Sequence, residues 1–173
     1  IFDQGTWLET LSQKLMTLVL LQGDVPMQTE SMPKLLDAVR AATEQALAAQ
    51  GMALTVDCTM DTLEMDFDLM RSALVNLVEN ARKASQNGQT IALCAHAGVI
   101  AVTDCGSGIP KAELARVTEP FYMVDRSRSK RHGGTGLGLA LVARIAAAHG
   151  AALSVESAVG EGTTVRLTFP PRA

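Results

Sequence analysis

Two spacings of apolar residues alternate along this chain, and together they predict an α/β fold. Apolar residues recur every three or four positions, as in helices, over 7–21, 34–50, 66–85 and 137–149. Alternating or short apolar runs predict strands over 52–58, 90–95, 99–103, 152–157 and 163–169. We therefore predict an α/β (α+β) two-layer sandwich. Three main helices would cover one face of a mixed sheet of about five strands, and a further helix would lie at the N-terminus.

Glycine and proline divide the chain into three parts. Gly23, Pro26 and Pro33 interrupt the apolar pattern and predict a linker. Residues 1–22 are then a helical tail, residues 23–32 the linker and residues 33–171 the main domain. Within that domain, 111–117 is expected to form a short helix.

Composition excludes several functional classes. The 173 residues are 47% hydrophobic and 19% charged, which is typical of a folded domain. A net charge of -3 argues against a nucleic-acid-binding protein. Cys58, Cys94 and Cys105 lack metal-ligand spacing and fit a reduced, cytoplasmic setting. The longest apolar run, Leu15 to Leu21, is too short to span a bilayer.

The helix predicted at 66–85 carries polar groups opposite its apolar stripe. At about 100° per residue, Asn76, Asn80 and Lys83 fall on one face. In a lone helix these residues would form an ordinary solvated face. Glycine-rich segments elsewhere in the chain instead favour a binding function for them.

A strand at 99–103 leads directly into Asp104-Cys-Gly-Ser-Gly-Ile-Pro110. This order brings a carboxylate to a strand end, next to glycines whose backbone can be approached closely. An ordinary Asx turn is the alternative interpretation.

The segment 119–142 joins a basic stretch to a glycine-rich helix start. Cations precede a helix whose first turn has little side-chain cover: Arg126, Arg128, Lys130 and Arg131 come before Gly133, Gly134, Gly136 and Gly138. Bare N–H groups at a helix N-terminus bind anions. We interpret this segment as a basic lid attached to a phosphate-binding helix start.

Four motifs in fixed order, Asn76–Ala84, Asp104–Pro110, Gly133–Leu139 and Gly160–Thr164, together carry a family resemblance. They closely resemble the N, G1, G2 and G3 boxes of the ATP-binding catalytic domain of bacterial sensor histidine kinases. These domains have the Bergerat fold, which is shared with gyrase B, Hsp90 and MutL. The resemblance covers roughly 34–170, and Glu119-Pro-Phe-Tyr122 is similar to the F box at the start of the lid.

The resemblance implies a site for ATP and Mg²⁺. Asp104 would accept a hydrogen bond from the adenine amine, with Thr164 in the same network. Asn80 would bind Mg²⁺, and Asn76 and Lys83 would face the phosphates. The implied nucleotide contacts also include Gly106, Gly108, Phe121, Gly134, Thr135, Gly136, Leu137 and Gly138.

The lid residues implied to neutralise the γ-phosphate are Arg128, Lys130 and also Arg126. Many relatives carry an arginine directly after the Phe-Tyr pair, where this chain has Met123. That departure leaves Arg126 or Arg128 to take its place.

The resemblance also implies partners. Histidine kinases phosphorylate a histidine in a separate dimerisation domain, within a motif such as His-Glu/Asp-x-Arg, which this sequence lacks. His96, His132 and His149 do not fit the acceptor, and His149 is interpreted as structural. Residues 1–22 resemble the tail of the second dimerisation helix, so the acceptor is expected upstream. The implied partners are that domain, a response regulator and a second copy in a homodimer.

Several alternatives stay open. A serine kinase of the anti-sigma-factor type shares the same boxes, and a non-catalytic nucleotide-binding or interaction module could retain the fold. A gyrase, Hsp90 or MutL ATPase is disfavoured because those proteins have larger lids and downstream domains. A Rossmann site is disfavoured because a basic segment, not a strand, precedes the glycines. A Walker A motif is absent.

Overall fold

The structure is a computed structural model that describes residues 4–21, 25–124 and 135–171. Its elements follow in the order α1 (Gln4–Leu20), β1 (Gln28–Ser31), α2 (Met32–Ala48), β2 (Ala53–Cys58), β3 (Thr62–Met65), α3 (Phe67–Ala84), β4 (Thr90–His96), β5 (Val99–Asp104), a 3₁₀ turn (Lys111–Glu113), α4 (Gly138–Ala148), β6 (Ala152–Ala158) and β7 (Gly162–Thr168). Within these described ranges, no helix is both long enough and apolar enough to cross a membrane.

A five-stranded mixed sheet forms one layer, in the order β2-β4-β5-β7-β6. β2 and β4 run parallel and the other neighbours run antiparallel. Alternate residues of β4, Ile91, Leu93 and Ala95, are buried in the same core as the apolar stripes of α2, α3 and α4. The predicted two-layer α/β fold is confirmed.

A second, two-stranded sheet was not predicted. The segment interpreted as a linker contains β1, which pairs antiparallel with β3 so that Gln28 lies opposite Met65 and Ser31 opposite Thr62. Its four residues, Gln-Thr-Glu-Ser, carry no apolar signal. This strand therefore depends on its partner rather than on its own propensity.

The helix expected at 111–117 is also wrong. Only Lys111–Glu113 is helical, with hydrogen bonds from Glu113 N–H to the Pro110 carbonyl and from Leu114 N–H to the Lys111 carbonyl. These i to i+3 bonds belong to a 3₁₀ turn. A segment this short cannot offset the cost of starting an α-helix.

His149 joins the end of α4 to the start of α3. The carboxylate of Asp66 caps α3 by accepting the Leu69 N–H at 2.9 Å. The N–H of Asp66 is donated to His149 Nε2 at 3.0 Å, and His149 Nδ1 lies 2.7 Å from the Ile145 carbonyl. Because Nε2 accepts, Nδ1 carries the proton and donates. The buried ring thus satisfies two backbone groups, which supports its structural interpretation.

Replacing His149 by Ala should lower the free energy of unfolding by about 2–3 kcal/mol, because the Asp66 N–H loses its side-chain acceptor and the removed ring leaves a cavity. Urea denaturation would measure the change. His96→Ala is the control, since that ring is partly exposed and contacts Asp57 and Thr59 at the surface. It should cost less than about 1 kcal/mol. Equal losses in the two variants would contradict the structural role of His149.

Candidate functional site

A cleft of about 300 Å³ opens between α3, the ends of β5 and β7, the segment 117–124 and the start of α4. Its walls are mainly apolar, and polar groups converge on it from several elements. The predicted site residues that line it are Asn80, Lys83, Asp104, Gly108, Thr135, Gly136 and Gly138. The structure thus brings together parts of all three leading motifs.

Asp104 provides the buried carboxylate of the cleft. It ends β5 and is 6% exposed, and Val102, Val155 and Val165 line the cleft with it. Its Oδ1 accepts the N–H of Gly106 at 2.8 Å. Burial raises the pKa of Asp104, although backbone N–H groups of Gly106 and Thr163 oppose the shift. The site therefore presents an acceptor to an N–H group of a flat, apolar ligand.

The structure assigns the threonine of the cleft differently from the sequence interpretation. Thr163 lies opposite Asp104 in the sheet and opposite Ser157 on its other side. It lines the cleft, and its hydroxyl lies 2.8 Å from that of Ser157. Thr164 points to the opposite face, where it bonds Thr103 at 3.0 Å. Strand side chains reverse at each residue, so Thr164 cannot share the face of Asp104.

The polar face of α3 divides into two parts. Asn80 and Lys83 line the cleft, and the Asn80 amide has no hydrogen-bond partner among the described residues. Burial lowers the pKa of Lys83. Asn76 is 8% exposed and does not line the cleft. Its amide nitrogen donates to the Ser72 carbonyl at 2.8 Å, so it lies in the packing between α3 and α4.

Gly106 and Gly108 are required by the packing of the protein itself. A Cβ at Gly106 would meet the Ala84 carbonyl, and one at Gly108 would meet the Ala158 carbonyl. A Cβ at Gly138 would lie 3.2 Å from Asn80 Oδ1 and 3.4 Å from Asn76 Oδ1. The space beside these glycines is thus occupied by protein atoms, whereas the sequence interpretation left it for the nucleotide.

Phe121 and Gly136 fasten the two ends of the predicted lid. The N–H of Phe121 donates to the Gly136 carbonyl at 2.9 Å. Both residues have positive φ, +64° and +68°. A Cβ at Gly136 would lie 2.8 Å from the Phe121 backbone, so only glycine permits this approach. The Phe121 side chain is exposed outside the cleft, while Tyr122 and Met123 line it.

The start of α4 is available to an anion. The helix begins at Gly138 and has no side-chain cap, so its first N–H groups need other partners. Leu137 is fully buried and does not line the cleft. Gly134, Arg126, Arg128 and Lys130 lie outside the described residues.

Sequence reasoning missed Lys14, which lines the cleft, and Ser157, which contacts the lining residue Thr163. Lys14 enters the cleft from α1, which was interpreted as a separate tail. Ser157 bridges the Ile109 N–H and Thr163, at 2.8 Å each. With the pairing register of β5, β6 and β7 known, the alternation of side chains along a strand would have placed Thr163 and Ser157 on the same face as Asp104.

Comparison with known proteins identifies the family. Residues 65–173 match the model of the histidine kinase-, DNA gyrase B-, and HSP90-like ATPases. The chain belongs to this family. It therefore has the fold and motifs of the ATP-binding catalytic domain of sensor histidine kinases, and the resemblance seen in the sequence is confirmed.

Similar proteins include sensor kinases. The chain is 37% identical over 145 residues to the non-motile and phage-resistance protein of Caulobacter vibrioides, covering 79% of this chain and 17% of that protein. It is 28% identical over 178 residues to sensor protein SrrB of Staphylococcus aureus, covering 98% of this chain and 30% of SrrB. The chain thus spans less than a third of these curated relatives.

Solved structures share the fold. The mycobacterial sensor histidine kinase MprB has a TM-score of 0.72 and 25% identity, covering 83% of this chain and 97% of that one. Full-length ShkA, solved in complex with AMPPNP, has a TM-score of 0.80 and 25% identity, covering 94% of this chain and 35% of that one.

Proposed function

We propose that this chain binds Mg-ATP in the cleft and donates the γ-phosphoryl group to a histidine in a dimerisation domain of its parent protein. One observation carries the proposal. A buried carboxylate in an apolar slot lies at one part of the cleft, and an amide, an ammonium and an uncapped helix start line the same cleft. This combination suits a ligand with a flat ring and a polyanionic tail.

The adenine would bind beside Asp104. Its amine would donate to the carboxylate oxygen that remains beside the Gly106 hydrogen bond. We assign to Thr163, with Ser157 behind it, the supporting role earlier assigned to Thr164. Apolar side chains such as Val155 and Val165 would cover the ring faces.

The phosphates would lie towards Asn80, Lys83 and the start of α4. Mg²⁺ commonly binds proteins through one or two oxygen ligands and otherwise through substrate phosphates and water. A single amide oxygen from Asn80, exposed and without a partner among the described residues, fits this use. When bound, the ion would neutralise charge on the phosphates. Lys83 would add a positive charge, and the first N–H groups of α4 would donate to phosphate oxygens.

Neither histidine in the described part of the chain is suited to accept the phosphoryl group. Both ring nitrogens of His149 contact backbone groups, and those of His96 contact Thr59 and Asp57. Neither ring lines the cleft. We therefore retain a histidine of a dimerisation domain as the acceptor, a response regulator as the next partner, a homodimeric parent and a cytoplasmic location for this domain.

Replacing Asn80 by Ala should weaken ATP binding roughly tenfold in Mg²⁺ and much less in EDTA, because only the ion-dependent part of the affinity is lost. Isothermal titration calorimetry under both conditions would measure this. Gln86→Ala is a control, since this exposed amide follows the same helix outside the cleft. Failure of the parent chain to bind ATP in Mg²⁺ would sink the proposal.

The chemical stability of the phosphorylated product distinguishes a histidine kinase from a serine kinase of the anti-sigma-factor type. With ATP labelled at the γ-phosphate, the chain should label a histidine-bearing dimerisation domain. The label should be lost in acid and retained in alkali, as a phosphoramidate is. An acid-stable label on serine of an acceptor protein would instead favour the anti-sigma-factor type.

A further inference from the structure

Lys14 brings a cation from α1 into the cleft. α1 packs beside α4, and Leu18 and Leu21 contact the core of the domain. Arg144 of α4 donates to the Leu21 carbonyl at 3.5 Å. In this position Lys14 is half-buried and lines the same cleft as Asn80 and Lys83.

The charge of Lys14 is not balanced by the protein. Burial lowers the pKa of Lys14, and the nearby Lys83 lowers it further, while Glu79 acts in the opposite direction. The Glu79 carboxylate is already engaged by Arg82, at 2.9 and 3.1 Å. In the described part of the chain neither lysine forms an ion pair. Two neighbouring ammonium groups therefore share one cleft, and neither forms an ion pair with Asp104, the carboxylate that also lines it.

A dianionic or more highly charged ligand would resolve this arrangement. Like charges brought together and partly dehydrated repel each other, and an anion between them removes that repulsion. A polyphosphate in the cleft would lie between Lys83, which α3 supplies, and Lys14, which α1 supplies. Removing α1 from the domain would remove one of the two cations.

We propose that Lys14 is a phosphate-binding residue supplied by α1, so that nucleotide in the cleft and the packing of α1 on the domain stabilise one another. This inference rests on the proposed function, because it takes the cleft to be the ATP site. The coupling is reciprocal: a ligand that binds more tightly when α1 is packed must also favour the packed arrangement. The packing of α1 would thereby depend on the occupancy of the cleft.

The first test compares Lys14→Met with the parent chain by calorimetry. Methionine keeps much of the side-chain length and removes the charge. Affinity for Mg-ATP should fall roughly 3- to 10-fold, as for a partly exposed charge contact, and affinity for adenosine should not change. Lys14→Arg should retain ATP affinity. Lys34→Met is the matched control, since this exposed lysine of α2 does not line the cleft.

The second test measures the coupling by amide hydrogen exchange in the full chain. Mg-ATP should slow exchange in α1 in the parent and in Lys34→Met, and should slow it less in Lys14→Met. Unchanged ATP affinity in Lys14→Met, or an equal loss for ATP and adenosine, would overturn the inference while leaving the ATP site in place. A parent chain that binds neither ligand would overturn the proposed function and this inference with it.

Discussion

Replacing Asp104 by Asn is expected to abolish adenine recognition without unfolding the protein. The asparagine oxygen can still accept the Gly106 N–H, which now bonds Asp104 Oδ1 at 2.8 Å. The other atom becomes an NH₂ group, a donor that would face the donating amine of adenine. Two donors cannot bond each other, so the asparagine NH₂ and the adenine amine would both be buried without an acceptor. The affinity for ATP should therefore fall on the order of 100-fold or more.

The same substitution should stabilise the empty protein at neutral pH. Burial raises the pKa of Asp104, so this group contributes most to stability when it is protonated. That contribution is present below the unfolded-state pKa and is lost as pH rises through the folded-state pKa. At neutral pH the buried charge therefore lowers the free energy of unfolding, and a neutral amide avoids that cost.

Calorimetry with ATP and with adenosine, together with urea denaturation, would test both expectations. Asp57→Asn is the control, because Asp57 is a largely exposed carboxylate at the surface beside His96. That variant should bind both ligands as the parent does. If Asp104→Asn binds adenosine like the parent, Asp104 does not recognise the purine.

Gly162→Ala is expected to lower the free energy of unfolding by about 3 kcal/mol or more and to weaken ATP binding. The φ of Gly162 is +92°, a backbone angle that residues with a side chain rarely adopt. An added Cβ would also run into the Asp104 carbonyl and lie 2.8 Å from the Cα of Cys105. The backbone that positions Asp104, the carboxylate proposed to bind adenine, would have to move.

Gly160→Ala provides a matched control in the same turn. Its φ is also positive, at +80°, but nothing lies within 4 Å of the added Cβ. It should cost about 1–2 kcal/mol from conformation alone, and ATP affinity should be retained. Urea denaturation and calorimetry of both variants would separate conformational strain from collision. Equal losses of stability would show that the close approach to Asp104 contributes nothing.

The sequence predicted the layers of the fold well because apolar spacing reports which faces are buried. The apolar stripe of α3, with Met70, Leu74 and Leu77, is fully or almost fully buried. In β4 every second residue is buried, as the alternating pattern predicts. β1 escaped prediction because its residues are polar and its stability comes from pairing with β3, 31 or more positions away. Such distant pairing leaves no local pattern to read.

The sequence predicted which residue types form the site more reliably than it predicted which side chains point into the cleft. Asn80, Lys83 and Asp104 do line one cleft, yet the choice between Thr163 and Thr164 depended on where β7 begins. A shift of one residue exchanges the two faces of a strand. Lys14 gave no signal at all, because only the packing of α1 against the domain brings it to the cleft. Asn76 shares the helical face of Asn80 but is covered by the start of α4.

The hydrogen bond between Phe121 and Gly136 has a consequence for how this family can diversify. Because this hydrogen bond joins the two ends of the stretch 122–135, residues can be added between them without moving Phe121 and Gly136 apart. Doubling a closed loop costs only about 0.6 kcal/mol of additional entropy. Insertions between these two anchors should therefore be tolerated, and the segment could be exchanged between homologues as a cassette.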